Sequence, residues 1–188
     1  MRLKYNSPVI LTFALLSTAV LVVTRYLFPV QDLNNSWFTA PAHFDFHNLL
    51  DYPRMFTHII GHADINHLLG NFTFILLLGP IIEEKYGSGR LLVMILLTAV
   101  VTGLGNAFLF KTGLLGASGI VFMLIIISSF TNIKDKEVPI TFLLIAAIFL
   151  GKEFVHAFQQ NNISEFAHII GGLCGGLYGV SLAKGSEE

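Results

Sequence analysis

Six long apolar segments divide this chain of 188 residues, at about 8–29, 66–82, 91–110, 117–133, 138–157 and 164–183. A helix that crosses the hydrocarbon core of a bilayer needs about 20 apolar residues, and each segment is close to that length. Only 12% of the residues are charged, whereas soluble domains carry about 25%. The sequence therefore predicts an all-α integral membrane protein with six transmembrane helices in a single domain, residues 1–188.

The basic residues indicate the orientation of this bundle, because an even number of spans leaves both termini on one side. The connections on that side carry seven basic residues, which are Arg2, Lys4, Lys85, Arg90, Lys134, Lys136 and Lys184. The opposite side carries four, which are Arg25, Arg54, Lys111 and Lys152. Since basic residues concentrate in cytoplasmic loops, we expect cytoplasmic termini.

Three polar residues lie inside apolar segments, each 16 residues before a charge: Ser118 before Lys134, His168 before Lys184, and His67 before Glu83. A helix rises about 1.5 Å per residue, so each side chain lies about 24 Å from the charged end of its helix, in a hydrocarbon layer about 30 Å thick. We therefore expect the three polar groups at one depth, near the extracytoplasmic face.

The connection between the first two segments, about residues 30–65, is too long for a hairpin. It is rich in large amphipathic and apolar side chains, namely Trp37, Phe38, Phe44, Phe46, Tyr52, Met55 and Phe56. This composition predicts a loop that lies in the membrane interface. The loop also holds His43, His47, His58 and His62. A metal site is one interpretation of these histidines, but no His-Glu-x-x-His pattern is present, and interfacial polar groups are the favoured interpretation.

The net charge and the cysteine content exclude some functions. A net charge of −1 without a basic patch makes nucleic acid an unsuitable partner. The single cysteine, Cys174, cannot form an internal disulfide, and its glycine neighbours favour a role as a small packing residue.

Ser118 lies in the sequence Gly-Ala-Ser-Gly, residues 116–119. A serine hydroxyl is a weak nucleophile until a base removes its proton, and histidine has a pKa suited to that role near neutral pH. Ser118 and His168 could form such a pair. Patterns of small residues also pack membrane helices against each other, however, and the motif alone favours packing.

The sixth segment contains a ridge of glycines that changes this balance. Gly171, Gly175 and Gly179 recur every four residues, and His168 precedes Gly171 by three, so all four share one helix face. Another helix should pack closely there. If that helix is the fourth, Ser118 and His168 meet at the same depth. A lone histidine could instead bind haem or donate to a carbonyl, but an ionisable group inside a membrane is costly enough to suggest a function.

His67 and Asn71 lie four residues apart, on one face of the second helix, and both can donate hydrogen bonds. Together with the backbone N–H of Ser118 they could surround an oxyanion. Alternatively, they brace neighbouring helices, as buried polar side chains commonly do. The matched depth of His67 and Ser118 favours the first interpretation.

These patterns resemble the motifs of the rhomboid intramembrane serine proteases, over about residues 54–179. The family's Gly-x-Ser-Gly is similar to residues 116–119, its Ala-His-x-x-Gly-x-x-x-Gly to residues 167–175, and its His-x-x-x-Asn to residues 67–71. The upstream histidines His58 and His62, and the turn at residues 84–91, also look like the family's.

The resemblance implies a rhomboid-like bundle of six transmembrane helices with a long interfacial loop between helices 1 and 2. It implies that Ser118 is the nucleophile, that His168 is the general base, and that His67, Asn71 and the Ser118 N–H form the oxyanion hole. The dyad has no acidic third member, and no cofactor or metal is implied. The supporting residues by resemblance are Gly116, Gly119, Phe122, Gly171, His58 and His62.

The chain departs from the family pattern at two places. Phe122 stands where many rhomboids have a tyrosine that packs on the catalytic histidine, so we expect the ring stacking without the hydroxyl. Pro53 and Arg54 stand in place of a Trp-Arg pair, which keeps the positive charge and removes an aromatic anchor. The departure at Pro53 should affect the geometry of the first loop more than the catalytic chemistry.

The sequence thus predicts an intramembrane serine endopeptidase that cleaves transmembrane protein substrates in the bilayer, in or beside their membrane segments, through an acyl-enzyme at Ser118. A cavity lined by His58, His62, His67 and Asn71 would admit water. By resemblance to the family, the plain six-helix core implies a bacterial inner membrane. The alternative is a catalytically inactive rhomboid-like protein that binds membrane clients, although such proteins usually lack the serine or the histidine. A small transporter is disfavoured because no repeated halves are visible.

Overall fold

A computed structural model describes residues 5–27, 36–131 and 163–184, together with positions 140, 144, 147 and 148. This part of the chain is built from helices: α1 (Pro8–Val22), α2 (Asp51–Thr57), α3 (Ile65–Tyr86), α4 (Ser88–Leu109), α5 (Ser118–Thr131) and α6 (Ile163–Lys184). The π-helical turn Val23–Leu27 extends α1. Within these described ranges there is no strand, and Ala40 and Leu114 form one isolated bridge.

Helices α1 and α3 to α6 correspond to five of the six predicted segments. Three helical stretches, Pro8–Leu27, Ile65–Tyr86 and Ser88–Leu109, are long and apolar enough to cross a membrane. The chain is an integral membrane protein. The predicted helix at 138–157 falls outside the described residues, apart from the isolated positions given above.

Two boundaries and one helix differ from the prediction. Helix α3 continues to Tyr86, and α4 begins at Ser88, because the only break between them is Gly87, whose φ of 87° is readily adopted by glycine. Helix α2 was not predicted. Its seven residues are too few to show a helical period, and Pro53 lies in its first turn, where proline is tolerated.

Helix α5 is the centre of the bundle. Ile120, Val121, Met123, Leu124 and Ile127 are each 0% exposed, and α5 contacts α3, α4 and α6. A helix that is apolar and buried on all sides belongs to the interior of its protein. Ser118 is the first residue of α5, so the candidate nucleophile lies where the central helix begins.

A buried carboxylate joins α1 to the opposite end of the bundle. The side chain of Glu83 accepts hydrogen bonds from the backbone N–H groups of Val9 (3.0 Å) and Ile10 (3.1 Å) and from the hydroxyl of Ser88 (2.7 Å). The first N–H groups of a helix have no partner within the helix. Ser7 occupies the N-cap position of α1, but its side chain makes no capping hydrogen bond. Glu83 therefore supplies the cap of α1 from the last turns of α3.

We expect Glu83→Gln to lower the stability of the fold by about 1.5 to 3 kcal/mol, the usual worth of a hydrogen bond to a charged group. The amide keeps the shape, but its NH₂ group would face a backbone N–H that now lacks an acceptor. Thermal unfolding in detergent measures the change. The control is Glu84→Gln, which neutralises an exposed neighbour and should leave Tm unchanged. Equal effects of the two substitutions would contradict the capping role.

Candidate active site

The closest approach in the described part of the bundle is between the backbones of α5 and α6. A Cβ atom built on Gly171 would collide with the backbone of Gly119, and one on Gly175 would lie 2.6 Å from the carbonyl oxygen of Met123. The glycine ridge of α6 therefore faces α5. Since Ser118 precedes Gly119 and His168 lies one turn before Gly171, both residues lie at this contact and at the same level.

Phe122 fixes the plane of the His168 ring. The two rings are stacked, with centroids 4.3 Å apart and an angle of 16° between their planes. Phe122 is 2% exposed and His168 is 5% exposed. A packed aromatic face restricts rotation of the imidazole without any hydroxyl, so the substitution of phenylalanine for the family's tyrosine is compatible with stacking.

The turn before Ser118 has a backbone conformation that favours glycine. Gly116 has a φ of 116°, and a Cβ atom there would lie 2.6 Å from Nε2 of His67 and 3.7 Å from Nδ2 of Asn71. Any side chain at position 116 would be strained and would displace the His67 ring. The absence of a side chain lets His67 and Asn71 approach the peptide that leads into Ser118.

His67 presents its donor nitrogen to this turn. The backbone N–H of Ala63 donates to its Nδ1 at 3.4 Å, so the neutral ring carries its proton on Nε2, the atom nearest to Gly116. The helix around it is well anchored, because the Asp64 side chain accepts a hydrogen bond of 2.9 Å from the His67 N–H and caps α3.

Asn71 supplies a second donor. Its side chain is 5% exposed, and its Nδ2 has no hydrogen-bond partner among the residues that the structure describes. An unsatisfied buried donor costs about 1–3 kcal/mol, so a native protein keeps such a group for a reason. The amide nitrogen is therefore available to an acceptor that enters beside Gly116.

His58 supports the same turn from the loop before α3. Its carbonyl accepts the Gly116 N–H at 2.9 Å. Its Nδ1 lies 3.2 Å from the carbonyl oxygen of Arg54, and its Nε2 lies 3.4 Å from the hydroxyl oxygen of Thr102. Burial lowers the pKa of His58 to about 4, so the ring is neutral. Its Nδ1 donates to the Arg54 carbonyl, so Nε2 carries no proton.

His62 lies between His67 and the core. It is 0% exposed, and its ring meets the His67 ring edge to face, with centroids 5.0 Å apart. Burial, with a smaller contribution from His67, lowers the pKa of His62 to about 4. Both upstream histidines are thus neutral residues of the protein interior. The prediction that they line a water cavity is not supported for His58, which is 1% exposed and has a polar protein atom near each ring nitrogen.

Three polar residues of α4 that the sequence analysis missed hold this region together. Thr98, Thr102 and Asn106 are spaced four apart, and none is more than 2% exposed. The Asn106 Nδ2 donates to the carbonyl of Thr112 at 2.9 Å, beside the bridge between Ala40 and Leu114. Their regular spacing within an apolar segment was the available signal.

Arg54 holds the ends of the first loop together. Its Nη1 lies 3.0 Å from Asp51 Oδ1, and its Nε donates to the carbonyl of Ser36 at 2.6 Å. The Asp51 side chain also accepts from the N–H of Asp45 at 2.9 Å. The positive charge at position 54 therefore orders the loop, whereas the exposed Pro53 beside it makes no such contact within the described region.

The arrangement suits acyl transfer. A serine begins a buried helix, a histidine lies one helix away at the same level, and two side-chain N–H donors lie beside the turn before the serine. In the part of the chain that the structure describes, no group of three or more His, Cys, Asp or Glu side chains could hold a metal.

Comparison with known proteins identifies the family. The rhomboid domain model matches residues 50–185. The chain is 34% identical over 131 residues to rhomboid protease GluP of Bacillus subtilis, 31% over 114 residues to rhomboid protease GlpG of Pectobacterium atrosepticum, and 25% over 144 residues to rhomboid protease GlpG of Haemophilus influenzae. The chain belongs to the rhomboid family.

The extent of these matches differs among the relatives. The matched part covers 66% of this chain and 25% of the Bacillus protein, 58% of this chain and 40% of the Pectobacterium protein, and 72% of this chain and 73% of the Haemophilus protein. The chain thus spans less than half the length of the Bacillus and Pectobacterium relatives.

We expect Gly171→Ala to destabilise the fold by about 1–3 kcal/mol, because the added methyl group must separate two packed backbones. Gly176→Ala is the matched control in the same helix, since a Cβ atom there meets nothing within 4 Å and alanine favours helices. Thermal unfolding of both variants in detergent gives the comparison. A Tm of Gly171→Ala equal to that of Gly176→Ala would mean that α5 and α6 are not in this contact.

Proposed function

We propose that this protein is an intramembrane serine endopeptidase whose nucleophile is Ser118 and whose general base is His168. The observation that carries the proposal is the joint placement of these residues: the α5–α6 glycine contact brings both to one level, and the Gly116 turn brings two hydrogen-bond donors to the same place. A packing role alone accounts for the glycines, but it leaves the buried donor of Asn71 without a purpose.

In the proposed reaction, Ser118 Oγ attacks the carbonyl carbon of a peptide bond while His168 removes the hydroxyl proton. The carbonyl oxygen becomes an oxyanion, which accepts hydrogen bonds from the Ser118 N–H, His67 Nε2 and Asn71 Nδ2. His168 then gives the proton to the leaving amine, which leaves an acyl-enzyme. His168 then removes a proton from a water that attacks the acyl carbon, and it returns this proton to Ser118 Oγ as the bond to the acyl group breaks and the acid leaves.

The stacking of Phe122 on His168 has a consequence for the base. With Phe122 against one face of the imidazole, His168 has its orientation set by packing. An acidic residue performs that task in triads by a hydrogen bond, so the stacked ring takes its place in a dyad. No metal or organic cofactor is required by this chemistry.

The membrane setting is also part of the proposal. Residues 1–188 form one rhomboid domain of six transmembrane helices, with cytoplasmic termini in a bacterial inner membrane and the first loop in the opposite interface. The candidate site lies near the extracytoplasmic face, and the substrates are transmembrane proteins cleaved in or beside their membrane segments. The bacterial relatives and the distribution of basic residues support this setting.

Labelling of the detergent-solubilised protein with a fluorophosphonate tests the dyad. We expect the wild type to be labelled and both Ser118→Ala and His168→Ala to lose labelling entirely, because members of one catalytic unit fail together. Ser129→Ala, in the same helix, and His47→Ala, in the exposed part of the loop, are the matched controls and should label normally. Labelling of folded Ser118→Ala, or none of the folded wild type, would contradict the proposal.

We expect Asn71→Ala to reduce turnover of a transmembrane substrate by about 100- to 1000-fold, the usual effect of losing one oxyanion donor. Its Tm should hardly change, because within the described region Nδ2 makes no hydrogen bond that the substitution would remove. Rates and thermal unfolding on the same preparations distinguish the two roles. A large fall in Tm with an unchanged rate would assign Asn71 to packing.

A further inference from the structure

A groove far from the candidate site lies between the beginning of α4 and the end of α6. Its volume is about 300 Å³, at the lower end of the range of small-molecule sites. The lining residues are Gly89, Arg90, Val93 and Met94 of α4 and Tyr178, Ser181 and Leu182 of α6. The groove runs along α4, a helix that is long and apolar enough to cross a membrane.

The groove has an apolar wall and a cationic end. Val93, Met94 and Leu182 provide hydrocarbon surface, whereas Arg90 is exposed and has no ion pair within the described part of the chain. No side chain caps the N-terminus of α4, which adds partial positive charge beside Arg90. The nearest buried carboxylate, Glu83, is directed to the N–H groups of α1 and to Ser88.

We propose that this groove binds an anionic phospholipid, with one acyl chain along Val93, Met94 and Leu182 and the phosphate at Arg90 and Ser181. Charge complementarity decides the occupant. The end of the molecule that holds the groove also carries Lys85 and Lys184, against the carboxylates of Glu83 and the exposed Glu84. Anionic headgroups collect where basic residues face a membrane surface. A zwitterionic lipid would fill the apolar wall without using the charge of Arg90.

The structure offers two independent ways to disturb the groove. Arg90→Gln removes the charge and keeps a similar length. Gly89→Leu fills the space, since a Cβ atom at Gly89 meets nothing within 4 Å and leucine favours helices. The matched controls are Lys85→Gln, which removes a charge at the same end of the bundle outside the groove, and Gly176→Leu, which adds the same side chain elsewhere on α6.

Native mass spectrometry of the delipidated full chain, titrated with phosphatidylglycerol or with phosphatidylcholine of the same acyl chains, tests the proposal. We expect the wild type to prefer phosphatidylglycerol. Arg90→Gln should weaken binding of phosphatidylglycerol roughly fivefold, the effect of one basic residue near an anionic headgroup, and should leave phosphatidylcholine unchanged. Gly89→Leu should weaken both lipids, and both controls should behave as the wild type.

Three results would overturn the proposal. Equal affinity of the wild type for the two lipids would remove the role of charge. Equal losses in Arg90→Gln and Lys85→Gln would show a diffuse basic surface in place of a groove. A dimer that disappears in Gly89→Leu, without any change in lipid binding, would show that a second copy of the chain occupies the groove.

Discussion

The direct contact between the backbones of α5 and α6 is the constraint on which the rest of the candidate site depends. Gly171 lies so close to the backbone of Gly119 that a side chain at position 171 would require one of the two helices to move. In a membrane, where apolar side chains gain little by leaving lipid, such close packing supplies much of the association between helices. The same contact sets the level at which Ser118 and His168 lie, so packing and chemistry share one origin.

A second set of interactions holds the turn that leads into α5. The Gly116 N–H donates to the His58 carbonyl, the His58 ring lies against Thr102, and Asn106 binds the chain just before the turn. These residues come from a loop and from α4, which are distant in sequence. Burying a polar group costs free energy unless the group is paired. The pairing of these groups therefore favours one geometry of the Gly116 turn, which lies beside His67 and Asn71.

The two ends of the bundle are built differently. Near Ser118, neutral histidines, threonine and asparagine form hydrogen bonds in the interior. At the opposite end, the Glu83 carboxylate joins α1, α3 and α4, and the exposed Arg90 lines the proposed lipid groove.

Hydrophobicity and spacing are local properties, and the sequence alone therefore determined the spans, the face of α6 that carries the glycines, and the choice of Ser118 and His168 as candidates. Spacing also singled out His67 and Asn71, and the family resemblance added Phe122. The match to the rhomboid domain model confirms the family. The predicted span at 138–157 lies outside the described residues. Three features could not be predicted, because they depend on contacts between segments far apart in the chain. They are helix α2, the hydrogen-bond partners of the loop carbonyls, and the interior placement of His58. Only the tertiary structure decided which helix meets the glycine ridge, since a ridge without side chains fits any close neighbour and the packing of the whole bundle selects α5.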